Sequence, residues 1–415
     1  MHVLGRRPTD PSGPAGRLGR YRAADGSDGA PVHVDLDRPH AGLVVGKRGY
    51  GKTYTLGVLA EEAARAPGVA PVVVDPMGAL TGLAAGPSGG AASTAGDADG
   101  SAGIEATAVA EPTVPATAVP PALWPELLGL EPTGAAGALV WQAAADAETL
   151  AGVQRGVRKS GADEDVRRAA ENHLRLAASW GVFDPDGIDA DDLLGGEATV
   201  LDLSALATAP AAAVVAAVAR ALYRARAARG TESDVEQSTG RLPWLFVDEA
   251  HAFFDSVASA ALCRVVTRGR GPGTSLVAAT QRPRALPEVV RSQADLLVAH
   301  RLTAEPDVEA LAAATPTYLD QPLRDRLPAT RGCAVVIDDA TEAVHGVSVR
   351  RRDTPHRGGS PRASDAGNGD GAGNGEDEGR RSSREGREDR RSDGVGGRGG
   401  RSGRGSDGEP TAPSH

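Results

Sequence analysis

The sequence predicts an α/β fold, a mostly parallel sheet flanked by helices, on three observations. A glycine-rich run at residues 46–53 lies between an apolar stretch of strand length and a helical one. Short apolar runs alternate with helix-period segments along much of the chain, as a parallel sheet with crossover helices requires. One of these runs, residues 242–247, ends in two adjacent carboxylates, Asp248 and Glu249.

Residues 1–30 are rich in Gly, Pro and Arg and are expected to be a flexible segment, ahead of a folded core at 31–352. Residues 31–36 alternate as a strand does. A buried strand follows at 42–45, then a helix at 54–65 that stops at Pro67-Gly68, then a buried strand at 69–75 closed by Pro76-Met77-Gly78. Residues 83–121 hold almost no large apolar side chains. Such a segment cannot offset its ordering entropy, and a disordered low-complexity insert is expected there. A helical insertion is expected at 122–192, where Val166, Ala170, Leu174 and Ala177 share one face and Gly181 suits a C-cap. Further strands are expected at 198–203, 242–247, 276–279, 296–299, 333–337 and 344–349, with a long Ala-rich helix from Pro210 to about residue 230. From 353 to 415 the chain is Gly, Ser, Arg, Asp and Glu, the composition of a disordered tail.

The run Gly46-Lys47-Arg48-Gly49-Tyr50-Gly51-Lys52-Thr53 fits the phosphate-loop template. Its glycines let successive N–H groups point into one concavity, and the helix that follows adds its dipole. Lys52 is expected to reach the phosphates, and Thr53 to take a place on Mg²⁺. Gly46 through Thr53, with Tyr54, form the expected ATP cradle. Asp248 is the second expected Mg²⁺ partner, and Glu249 is placed to polarise the attacking water. An acid pair that only complements a helix dipole is the competing reading, and the upstream loop disfavours it. Gln281 closes the strand expected at 276–279 and is a candidate sensor of the γ-phosphate, or else an ordinary turn residue before Pro283.

Composition narrows the function classes. Two cysteines, Cys263 and Cys333, lie far apart and in no metal-ligand spacing, so a disulfide framework or zinc site is not expected and a reducing, cytoplasmic setting is. Nothing resembles a signal peptide or a membrane span. Only three lysines occur, and the net charge of −10 falls entirely before residue 356. An acidic, Lys-poor, Ala- and Gly-rich chain looks like the proteins of salt-loving archaea, where screening relieves self-repulsion.

The ordered set of phosphate loop, Asp75-Pro76-x-Gly78, Asp248-Glu249-Ala250-His251, Arg268-Gly269-Arg270-Gly271, Ala279-Thr280-Gln281-Arg282-Pro283 and His300-Arg301-Leu302-Thr303 resembles the HerA–FtsK ATPases, the HerA branch above all. The resemblance implies a RecA-like core with the catalytic-glutamate arrangement, a homo-oligomeric ring (commonly a hexamer), and ATP-driven movement of double-stranded DNA. It also implies an arginine supplied by a neighbouring subunit, for which Arg301, Arg268 and Arg270 are candidates. HerA proteins carry a β-barrel before the phosphate loop, whereas 45 residues precede it here. A HerA-type nuclease partner is therefore not expected, and a stand-alone DNA-translocating or DNA-packaging ATPase is. A nucleotide-dependent regulatory or assembly protein is the other class. The letters Asp-Glu-Ala-His also occur in superfamily 2 helicases, but no second RecA-like domain or Ser-Ala-Thr element follows, so His251 is expected to pack or hydrogen-bond. Two arginine clusters could meet DNA: 155–175, interleaved with acids, and Arg264, Arg268, Arg270, Arg282 and Arg284.

Overall fold

The computed structural model describes residues 2–85, 104–229, 240–314, 318 and 321–356. Its centre is one mixed sheet of twelve strands: β1 (His2–Leu4), β2 (Ala15–Arg22), β3 (Asp28–Asp35), β4 (Ala41–Val45), β5 (Val69–Asp75), β6 (Ala106–Val109), β7 (Ala198–Asp202), β8 (Leu242–Val247), β9 (Ser275–Thr280), β10 (Leu296–Ala299), β11 (Cys333–Asp338) and β12 (Ala343–Val349). The spatial order is β1-β3-β2-β12-β11-β10-β4-β9-β8-β5-β7-β6. From β10 to β6 every neighbour pair is parallel, and β11, β12 and β2 join antiparallel. The fold is α/β as expected, with apolar residues on both faces of the parallel strands because helices cover both.

Register positions the site. Val45 of β4 aligns with Thr280 of β9 and Ala299 of β10, and Val247 of β8 aligns with Ala278 of β9 and Val74 of β5. Residues that follow those strands, Gly46, Gln281, His300, Asp248 and Glu249, therefore emerge at one edge of the sheet, the edge where ligands bind in open α/β sheets. Strand β9 separates β4 from β8, so its tip faces both the loop and the acids.

The expectation of a loose segment at 1–30 is corrected. β1 and β2 lie there and β3 begins there; Leu4 and Leu18 are fully buried. The reason is geometric: β2 pairs with both β3 and β12, and its Gly19 sits where a Cβ would lie 2.0 Å from the carbonyl oxygen of Ser348. His40 ties this end of the sheet to the core. It donates from Nδ1 to Asp295 at 3.1 Å and lies 3.8 Å from Asp35, which also pairs with Arg6. Burial alone would depress its pKa, but Asp295 and Asp35 raise it to about 9.

The expected insert at 83–121 is also corrected in part. Residues 104–121 carry β6 and buried Val114, Ala116 and Val119, while 86–103 lie outside the described residues. Val114 bridges to Phe183 and exchanges backbone bonds with the chain around Val182, so a single well-placed residue anchors a segment poor in apolar mass. Helices between residues 124 and 179 pack around a separate apolar cluster that also takes in Ala116, Val119, Ala212, Ala213 and Val257. Ala170, Leu174 and Ala177 are buried in it, and Gly181 is in the left-handed conformation just past the helix Glu164–Ser179. The long helix spans Thr208–Arg229.

The folded part runs past 352. Glu61, fully buried in helix α1 (Lys52–Arg65), accepts from the Thr354 amide at 2.9 Å and hydroxyl at 2.6 Å, and pairs with Arg350 at 2.8 Å. Two glycines make room for this strap: a Cβ on Gly57 would lie 2.7 Å from the Arg352 guanidinium, and one on Gly82 1.9 Å from the Pro355 oxygen. The remainder of the expected tail, 357–415, lies outside the described residues.

Candidate active site

The loop leaving β4 turns sharply. Gly46, Gly49 and Gly51 have φ of 157°, 80° and 113°, values that favour glycine, and α1 starts at Lys52 with no side chain capping its first amides. Those free N–H groups face the same edge as the loop. A Cβ on Gly49 would meet nothing within 4 Å, whereas one on Gly46 would lie 2.6 Å from the His300 Cβ. Asp75 folds the turn after β5, because its carboxylate accepts from the amides of Ala79 at 3.1 Å and Leu80 at 2.6 Å.

His300 is the floor of the loop, and its fit explains Gly46. Its Nδ1–H donates to the Cys333 carbonyl at 2.8 Å, leaving Nε2 to accept from the Thr55 hydroxyl at 2.9 Å. Burial lowers its pKa to about 4, so it is neutral and this tautomer is fixed. The sequence marks His300 only as part of the resemblance, because its bonding partners are 33 and 245 positions away.

The acids meet the loop as their strand positions require. The Thr53 hydroxyl donates to Asp248 Oδ2 at 2.8 Å, and Asp248 Oδ1 accepts from the Glu249 amide at 2.9 Å. Asp248 is 1 % exposed, and burial raises its pKa. Burial also raises that of Glu249, against the pull of Lys52, Arg282 and Arg48, while the Lys52 ammonium is lowered by its own burial. Glu249 holds φ at 45°, a strained conformation for a non-glycine residue and one that clusters at functional sites. Its Oε2 is buried without a hydrogen bond. His251 Nδ1 lies 3.4 Å from that oxygen, yet burial and Arg282 lower the imidazole pKa, so the contact is not an ion pair. The Thr280 hydroxyl, 3.2 Å from His251 Nδ1, also accepts from the Arg282 amide at 3.0 Å. His251 is thus a hydrogen-bonding residue beside the acids.

These features fit a nucleotide and its metal. Open space over Gly49, free helix amides and a buried ammonium suit a polyphosphate. No group of three or more His, Cys, Asp or Glu among the described residues could hold a metal alone. A hydroxyl and one carboxylate in contact suit Mg²⁺, which keeps waters and shares substrate phosphates.

The remaining expected residues divide. Gln281 directly follows β9 and is half-buried at the shared edge, where the Ala250 amide donates to Ala279 at 2.9 Å. Lys47 and Arg301 meet through backbone, Lys47 N–H to Arg301 O at 2.8 Å, so Arg301 flanks its own chain's loop. Arg48 is exposed on the loop; Tyr50 takes the Lys47 ammonium over its ring at 4.9 Å; Tyr54 accepts at its hydroxyl from the Arg352 amide at 2.7 Å. Arg268 is exposed at the end of the helix Ser259–Arg268, which leads back to the start of β9, the opposite edge from Glu249. Arg270 bonds Asp295 at 2.9 Å at that same far edge. The arginine cluster 264–284 is therefore split between the two edges of the sheet.

No protein-family model matches the chain, and no curated protein does. Among solved structures, VirB4 of Thermoanaerobacter pseudethanolicus superposes with a TM-score of 0.59 at 16% identity, covering 82% of this chain and 97% of that one. The likeness to VirB4 is one of fold. The genome packaging NTPase B204 from Sulfolobus turreted icosahedral virus 2, in complex with ATP-gammaS, matches more loosely, with a TM-score of 0.38 at 10% identity over 75% of this chain and 98% of that one. The cytoplasmic domain of the Thermomonospora curvata Type VII secretion ATPase EccC gives 0.38 at 15% identity, over 84% and 30%. VirB4 and this chain share an α/β sheet with flanking helices, which agrees with the fold class expected from sequence. No helix among the described residues is long and apolar enough to cross a membrane.

Proposed function

We propose that the protein is an ATP hydrolase of the HerA–FtsK type, a motor coupled to moving or packaging double-stranded DNA. The observation that carries the hydrolytic reading is the contact of Thr53 with Asp248 beside a buried, strained Glu249. Bound Mg²⁺ would neutralise charge on the β- and γ-phosphates, held by Thr53 and Asp248. The loop amides and Lys52 bind and orient the triphosphate. Glu249 Oε2 takes the proton of the attacking water; a carboxylate whose pKa is raised by burial is the stronger base for that step. Gln281 senses the γ-phosphate from the tip of β9.

The motor reading rests on the ordered motifs and on exposed Arg282 and Arg284 at the site edge, suited to phosphate backbone. Ring assembly would let Arg301 or Arg268 of one subunit complete a neighbour's site, worth about 10³–10⁵ in rate. The deciding measurement is ATPase rate with and without duplex DNA in high potassium chloride. Stimulation that disappears in Glu249→Gln is expected. Absence of stimulation at every DNA length and salt concentration would overturn the DNA motor and leave a nucleotide-dependent regulatory or assembly protein. A persistent monomer with ATP, by mass measurement, would rule out the ring.

A further inference from the structure

The open end of the β11–β12 hairpin closes on the phosphate loop from the side away from the acids. Gly332 donates its amide to the Tyr50 carbonyl at 3.4 Å, and the Arg331 guanidinium lies over the Tyr50 ring, 5.7 Å from its centre. Val349 N–H donates to Gly332 O at 2.9 Å, joining the two strand ends. The chain leaving β12 then reaches Tyr54: the Arg352 amide bonds its hydroxyl, and the His356 ring meets the Tyr54 ring edge-on at 5.4 Å. Two tyrosines, one on each side of Gly51-Lys52-Thr53, are thus each held by one end of the same hairpin.

Strand order says what this arrangement would face. The acids follow β8 and Gln281 follows β9, and both strands lie on one side of β4. A triphosphate whose terminal phosphate lay near Glu249 would run toward the other side of β4, where β10 and β11 lie. The groups gathered there include three rings, the exposed Arg331 guanidinium and the Lys47 ammonium, 4.9 Å from the centre of the Tyr50 ring. Among the described residues no carboxylate pairs with Arg331, which is exposed. Aromatic faces and a planar, weakly hydrated cation are suited to a flat heterocycle, whereas a phosphate needs only amides and point charge.

We propose that Arg331, supported by the Tyr50 ring, is a nucleoside-recognising residue that makes the site prefer a nucleoside triphosphate over bare polyphosphate. This rests on the nucleotide-site reading above and adds a residue that neither the loop nor the acid pair supplies. The test is calorimetric titration of the full chain with Mg-ATP and, separately, with Mg-tripolyphosphate, for wild type and for Arg331→Ala. Arg331→Ala weakens ATP about 10-fold and leaves tripolyphosphate within about 2-fold, with an unchanged melting temperature for the free protein. Equal weakening of both ligands would make Arg331 a phosphate contact and overturn the proposal, as would unchanged ATP affinity. Arg331→Lys keeps the charge without the plane and behaves like Arg331→Ala toward ATP; full retention would also overturn it. Wild type that binds neither ligand fails the nucleotide reading itself, a result separable from any effect of the variants.

Discussion

Thr53 and Asp248, 195 positions apart in sequence, are joined by a 2.8 Å hydrogen bond from hydroxyl to carboxylate. This bond connects the helix that follows the phosphate loop to the strand that carries the acids. It places side by side the two oxygens proposed to hold Mg²⁺, with Glu249 next in the chain.

Glu249→Gln separates binding from turnover. Hydrolysis falls by about 10²–10⁴-fold while ATP affinity is kept, read from steady-state rates and equilibrium titration. The variant is also more stable at neutral pH. Burial raises the Glu249 pKa, so its ionised form is disfavoured in the folded state, and removing that charge raises Tm. A variant that loses ATP binding in parallel with hydrolysis would remove Glu249 from the role of base.

Two glycines of one loop respond differently to alanine. Gly46→Ala drives a Cβ to 2.6 Å from His300 and costs about 1–3 kcal/mol, with loss of ATP binding as the loop shifts. Gly49→Ala meets no neighbour and costs only the strain of φ at 80°, about 1 kcal/mol. Urea midpoints for the pair check the order; a larger loss in Gly49→Ala would contradict it.

Glu61 anchors the strap through Thr354, Arg350 and Arg352. Glu61→Ala strands the Arg352 guanidinium, whose side chain is 1 % exposed, and costs about 3–5 kcal/mol. Limited proteolysis then cuts near residue 352 at protease levels that spare the wild type. Cleavage at the wild-type rate would show that the strap is held by other contacts.

Alkaline pH destabilises the join between the first three strands and the core. The folded-state pKa of His40 is raised from 6.5 to about 9 by Asp295 and Asp35, themselves paired with Arg270 and Arg6. Its contribution is therefore complete below pH 6.5 and is lost as pH rises through about 9. Urea midpoints fall over that interval in wild type and stay flatter in His40→Gln. Parallel curves would assign the loss to another group.

The parallel core was legible because its strands are unbroken apolar runs: the expected bounds at 69–75, 242–247 and 296–299 coincide with β5, β8 and β10. β1, β2 and β6 were not. Arg-Leu-Gly-Arg-Tyr-Arg in β2 spells loop by composition, and only pairing with β3 and β12 makes it a strand. The site divides in the same way. Lys52, Thr53, Asp248 and Glu249 belong to contiguous motifs, so their meeting at one sheet edge could be expected, whereas His300 under Gly46, Arg331 over Tyr50 and the Glu61 anchor depend on partners brought together by the sheet. No local spacing encodes those contacts.

The place of β4 between β9 and β10 also has a consequence for how the protein is made. The glycine loop is synthesised well before its flanking strands, which end at Thr280 and Ala299, and before its floor, His300. A ribosome must therefore add about 250 residues after the loop before the loop has neighbours on both sides, and parallel pairings so distant in sequence form slowly. Nucleotide binding should accordingly be among the last properties a nascent or refolding chain acquires, and until then the apolar strand Ala41–Val45 is a segment for chaperones to shield.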